Sequence, residues 1–64
     1  TIWAVEVKRN LAPKVERGFH SACEDLQPAR RIVLYPGDEA FPLPNGIEVM
    51  SLHQFGQDLL ALHP

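Results

Sequence analysis

A single cysteine, Cys23, stands in the 64 residues of this chain, so no disulfide can form within it, and no Cys/His cluster has the spacing of a structural zinc site. No apolar run approaches the roughly 18 residues that a membrane-crossing helix needs. There is no signal-peptide pattern of basic start, apolar middle and small-residue cleavage site, and no Gly-rich phosphate loop of Walker type. Residues 32–64 contain neither lysine nor arginine. These absences argue against a disulfide scaffold, a zinc finger, a helical membrane protein and a self-contained P-loop nucleotidase. For the lone thiol they leave a cytoplasmic setting as the expectation.

What is present is a soluble composition, 45% hydrophobic and 22% charged. A chain this short buries only about 60% of the surface its unfolded form exposes, so one core supplies a few kcal/mol of net stability. Without disulfide or zinc staples, such a domain is expected to oligomerise or to be a piece of something larger. The first residue is Thr1 and a strand pattern begins almost at once. The expectation is therefore a single partial domain over residues 1–64, from the C-terminal end of a larger protein. Charge is unevenly spread: residues 1–31 carry a net +2 and residues 32–64 a net −4. A mixed +2 is well short of a nucleic-acid footprint and reads equally as a solvated surface.

Residues 2–8, IWAVEVK, alternate so that Trp3, Val5 and Val7 share one face while Ile2, Ala4, Glu6 and Lys8 share the other, the period of a strand. Val15, Phe19, Ala22, Cys23 and Leu26 then recur at helical spacing. Pro13 suits a first helical turn and Pro28 marks a stop, which predicts a helix from about Pro13 to Leu26. Gly18 falls inside it, most simply explained by close packing of helix on sheet. Ile32 to Tyr35 form a continuous run closed by Pro36-Gly37, as in a strand buried on both faces. GDEAFPLPNG has the turn-formers of a loop, and IEVM reads as a short strand. Ser51 with Gln54 three residues on has the form of a capping box. It opens a helix whose Leu52, Phe55, Leu59 and Leu62 keep helical spacing. The predicted class is α/β in the order β-α-β-β-α, a small, mostly parallel three-stranded sheet with two helices.

Alternate strand residues lie about 6.6 Å apart and point the same way, so Glu6 and Lys8 can address one small site. A glutamate can hold Mg²⁺, and a lysine beside it can orient a water and stabilise charge on a phosphate. The same spacing is more commonly that of a strand-end salt bridge, and E-x-K arises by chance in roughly one chain in four or five of this length. Lys14 and Arg17, three apart on the predicted helix, share a face near its N-terminus and with Lys8 and Arg9 can cradle a phosphate; a solvated face beside Glu16 fits them too. His20 has Glu16 and Glu24 as neighbours on an exposed helix. His53 and His63 have no partner pattern. Cys23 sits in the apolar stripe, where a buried structural thiol is the default.

The run from AVEVKRN to EVMSL, above all the blocks EVKR, LAPK, RGFH and YPG, resembles the C-terminal domain of a family of uncharacterised bacterial ATP-binding proteins that join an AAA-type ATPase domain to a nuclease-like tail. The resemblance spans about residues 2–60. It implies the distal half of a domain similar to the PD-(D/E)xK, or restriction-endonuclease-like, superfamily, with Glu6 matching the metal-binding and catalytic glutamate and Lys8 the catalytic lysine. Arg9, Lys14 and Arg17 would then contact DNA phosphates, with Mg²⁺ as cofactor and the ATPase domain as covalent partner. The superfamily's pattern also needs an acidic residue on a strand upstream of E-x-K, which this chain does not contain. The piece alone is expected to be inert, and the intact protein either a Mg-dependent DNA hydrolase or a non-catalytic interaction or regulatory module of the ATPase. The edge of strand 2–8 left unpaired is expected to drive homo-oligomerisation.

Overall fold

The computed structural model describes residues 1–62. Its elements are β1 (Trp3–Val7), α1 (Arg17–Leu26), β2 (Arg30–Leu34), β3 (Phe41–Leu43), β4 (Ile47–Met50) and α2 (Leu52–Ala61). The four strands form one mixed sheet in the order β1-β2-β4-β3. β1 runs parallel to β2 with Trp3 beside Arg30 and Val7 beside Leu34, and β2 runs parallel to β4. The α/β class and the parallel centre match the expectation from periodicity.

The fourth strand does not. Phe41–Leu43 is a strand rather than part of a loop, pairing antiparallel with β4. Phe41 and Leu43 pack against the buried Val33, Tyr35, Ile47 and Val49, while Pro42, which cannot donate to a ladder, is tolerated because β3 is an edge. A Pro44–Gly46 turn then reverses the chain with Asn45 and Gly46 at φ 69° and 74°, the left-handed region that Asn and Gly enter most readily.

Alternation divides the core between the two faces of the sheet. On one face Val33, Tyr35, Ile47 and Val49 meet Phe19 of α1 and Val15 just before it. On the other, Ile32, Leu34 and Met50 meet Trp3 and Phe55 of α2. Ile32 and Val33 are completely buried, and each such side chain contributes about 1.5–3 kcal/mol relative to exposure. The central strand is therefore apolar on both sides, as its sequence requires.

Helix α1 begins at Arg17, not near Pro13, so Lys14 and Val15 lie outside it. Glu16 takes the N-cap position in extended conformation without a side-chain cap bond; Glu is not among the side chains that cap well, and Val15 packs on the sheet instead of entering the helix. Gly18 is exposed, and a Cβ there would meet nothing, so helix-on-sheet packing is not what the glycine serves. The helix ends at Gln27 in left-handed conformation, its backbone N–H donating to the Cys23 carbonyl at 2.9 Å.

Ser51 Oγ accepts the Gln54 N–H at 3.0 Å, the first half of the expected capping box. The Gln54 side chain does not reach back to complete it but donates to Asp58 Oδ1 at 3.0 Å. Asp58 in turn accepts from Arg30 at 3.1 Å. Arg30 also donates to both carboxylate oxygens of Glu48 and lies 4.7 Å over the Trp3 ring. This cluster fastens the polar flank of α2 to the sheet. It holds Arg30 more firmly protonated, chiefly through the hydrogen bond to Glu48. The Asp58 carboxyl lies below its usual range, first because Gln54 donates to it and then because Arg30 does.

Candidate functional site at the end of the first strand

Glu6 is the fourth residue of β1 and Lys8 follows its last residue, with the Lys8 N–H still continuing the ladder to the Leu34 carbonyl at 2.8 Å. Their backbones are held to the buried central strand, and both side chains project to the α1 face. Lys8 Nζ lies 3.7 Å from Glu6 Oε1. The Lys8 side chain is only 17% exposed and that of Glu6 28%. The two residues singled out from the E-x-K spacing are thus brought together and half-buried.

A third residue, which periodicity did not flag, completes the cluster. Glu16 Oε1 lies 3.7 Å from the same Lys8 ammonium. Helical periodicity makes Glu16 only a neighbour of exposed basic groups, whereas its N-cap position ahead of α1 places it beside the strand end. One lysine therefore bridges two carboxylates from separate elements. Both contacts are long for charge-assisted hydrogen bonds, which run about 2.7–2.9 Å, so this is an electrostatic pairing.

Glu6 Oε2 is buried and has no hydrogen-bond partner among the described residues. A buried carboxylate oxygen without a donor is costly. It is also the kind of hard oxygen ligand that Mg²⁺ takes, and Mg²⁺ sites use one or two protein carboxylates with water and phosphate oxygens completing the shell. Glu6 fits one such position. Among the described residues no three His, Cys, Asp or Glu side chains gather as a metal cage, so any such ion would draw its remaining ligands from elsewhere.

The basic residues expected beside this pair lie on the surface. Arg9, Lys14 and Arg17 are exposed. Lys14 lines a different cleft with Pro13, Val15, His20, Leu43 and Pro44, and because it precedes the helix it does not share a helical face with Arg17. Among the described residues no ion pair joins Arg9, Lys14 or Arg17 to Glu6. His20 and Glu24 border a polar cleft with Gln27, Arg31 and Asn45. Cys23 is buried, as its place in the stripe required. His53 is exposed; His63 lies outside the described residues. No described helix is long and apolar enough to cross a membrane.

Comparison with known proteins adds a family but no activity. The family described as "Domain of unknown function (DUF4143)" matches residues 1–55. An uncharacterized protein of Mycobacterium bovis and another of Mycobacterium tuberculosis are each 36% identical over 52 residues, covering 81% of this chain and 12% of their own lengths. The chain thus spans about an eighth of the curated relatives it matches. No solved structure matches it.

Proposed function

We propose that this chain, which belongs to the DUF4143 family, forms the distal part of a metal-dependent phosphodiester-cleaving domain in a longer protein carrying an AAA-type ATPase. The observation that carries the reading is the buried, unpartnered Oε2 of Glu6 beside the half-buried Lys8 ammonium. A two-sided parallel strand pair followed by helices on both faces is compatible with the distal half of a restriction-endonuclease-like fold.

In this reading Glu6 supplies one oxygen to Mg²⁺, which when bound would lower the pKa of a water and neutralise phosphate charge. Lys8, held at a fixed height by its ladder bond to Leu34, presents a cation where negative charge builds on the phosphate. Glu16 keeps that ammonium oriented in the absence of substrate. Arg9, Lys14 and Arg17, exposed on the chain leading from the strand to the helix, contact the DNA backbone farther from the reacting centre. No acidic residue precedes Glu6 in this chain, so in this reading the 64 residues by themselves do not cleave DNA.

A second reading is favoured by the double pairing of Lys8. An ammonium shared by Glu6 and Glu16 also serves simply to tie the end of β1 to the start of α1, as in a non-catalytic interaction or regulatory module. The deciding experiment is DNA cleavage in Mg²⁺ or Mn²⁺ by the full-length protein with Glu6→Ala and Lys8→Ala beside the unmodified form. Cleavage lost in both supports the hydrolase. Absence of cleavage in the unmodified protein, with ATP turnover intact, selects the interaction module.

A further inference from the structure

Lys8 is held by two carboxylates that are not alike. Glu6 Oε1 and Glu16 Oε1 each lie 3.7 Å from its ammonium. Glu6 belongs to β1, its side chain is 28% exposed and its second oxygen is buried. Glu16 stands just ahead of α1, and its side chain is 66% exposed. The first carboxylate is fixed in the strand beside the ammonium, and the second approaches it from the water side.

Glu16 is also free to leave. Its backbone is pinned, because its carbonyl accepts the Phe19 N–H at 3.1 Å and the His20 N–H at 3.4 Å. Its side chain makes no cap bond to the helix, and Lys8 is the one base it pairs with among the described residues. Rotation of the Glu16 side chain therefore breaks one ion pair and no part of the helix. Exposed pairs contribute little, because water and salt replace them. Lys8 cannot follow. Its N–H is bonded to the Leu34 carbonyl at 2.8 Å and its side chain is 17% exposed, so when Glu16 swings out the ammonium stays, with Glu6 as its remaining partner.

The geometry points to Glu16 as a displaceable counter-ion that occupies the place of a substrate phosphate oxygen on Lys8. This role rests on the phosphodiester reading above and adds to it how the lysine is kept closed until substrate arrives. An ammonium has three donors. Glu6 takes one from the strand side, and the direction Glu16 covers is the one open to an incoming anion. A phosphate that reaches Lys8 must displace Glu16 or sit against its like charge, and both lower affinity. A lone anion gains little by that exchange. A nucleic-acid strand gains, because neighbouring phosphates meet the exposed Arg9, Lys14 and Arg17 and release their own counter-ions. Glu16 is thus a positioning residue, acting through Lys8 without touching the reacting atoms.

Binding of a short labelled DNA duplex to the full-length protein in EDTA, followed by fluorescence anisotropy, tests this without requiring cleavage. Glu16→Gln keeps the shape and removes the charge, and should tighten binding about three- to tenfold. Glu24→Gln removes an equal charge from an exposed acid of α1 that has no ion-pair partner among the described residues, and should change affinity by less than about twofold, because salt screens it. In a Lys8→Met background the gain from Glu16→Gln should vanish, since the counter-ion acts only through that ammonium. Unchanged or weaker binding by Glu16→Gln overturns the proposal. So does an equal gain in the Lys8→Met background or with Glu24→Gln, and each of these results leaves the cleavage reading to its own test. DNA bound by none of these proteins overturns it too; if the unmodified protein nonetheless cleaves DNA in Mg²⁺, the hydrolase stands without the counter-ion. If Lys8→Met fails to fold, the comparison of Glu16→Gln with Glu24→Gln still decides.

Discussion

Arg30 meets Glu48 in a bidentate pair, Nε donating to Oε2 at 2.9 Å and Nη2 to Oε1 at 2.8 Å. The two residues stand on adjacent parallel strands and face α2, so one planar guanidinium joins β2, β4, the helix through Asp58 and the Trp3 ring of β1.

Arg30→Ala should therefore destabilise the domain by about 1–2 kcal/mol, the lower part of the range for charge-assisted bonds because the pair is partly exposed. Arg30→Lys should recover less than half of that, since an ammonium cannot reproduce the fork or lie flat on Trp3. Urea unfolding of the three proteins measures both. Equal stability of Arg30→Ala and the unmodified chain would remove the fastening role.

The Asp58 carboxyl is lowered from the ordinary 3.8 by Gln54 and then Arg30. A depressed folded-state value means that its contribution is present above the unfolded value and is lost as pH falls below 3.8 through the folded value. Arg30 stays charged throughout, so the acid limb belongs to the carboxylates. Asp58→Asn should flatten the acid loss of helical signal between pH 4 and pH 2 as followed by circular dichroism. An unchanged limb would assign it to other groups.

Glu6 carries the candidate chemistry and a buried unpartnered oxygen together. Replacing it by an apolar side chain of similar length removes a desolvated charge, and Glu16 remains to hold Lys8. Glu6→Met should leave stability unchanged or raise it by up to about 1 kcal/mol while abolishing any Mg²⁺-dependent activity of the full-length protein. A loss of more than about 2 kcal/mol would mark Glu6 as a structural ion-pair partner instead.

The glycines should respond in opposite directions. Gly18→Ala, exposed and with nothing near a new Cβ, should stabilise α1 by about 0.5–1 kcal/mol. At Gly37 a Cβ would meet the Tyr35 ring, with Cζ at 2.6 Å. That ring is pinned because Tyr35 Oη donates to the Glu39 carbonyl at 2.7 Å and accepts the Glu39 N–H at 3.1 Å. Gly37→Ala should cost about 1–3 kcal/mol. Thermal unfolding of both variants checks the sign in a single comparison.

Much of the scaffold was legible locally. Alternation in IWAVEVK, the unbroken run at Ile32–Tyr35 and the Ser51-to-Gln54 spacing each answered to a short-range rule, and the corresponding elements formed. The misses fell where local signals competed. Pro42 and Pro44 read as loop, but an edge strand tolerates a proline between two inward apolar residues. Pro13 suited a helix start, but Val15 gains more by packing on the sheet, and the helix waits until Arg17. At the candidate site, periodicity brought Glu6 and Lys8 together and missed Glu16, whose approach to Lys8 depends on that delayed start.

The sequence by itself determined the α/β class, the parallel pairing of β1 with β2 and the common face of Glu6 and Lys8, because these follow from side-chain period and crossover geometry within a few tens of residues. Only the tertiary structure decided that Phe41–Leu43 adds a fourth strand to the sheet, that Lys8 is shared by two carboxylates, and that Arg30 fastens the polar flank of α2 to the sheet. Those outcomes depend on which surfaces meet across the fold. No window along the chain contains that information.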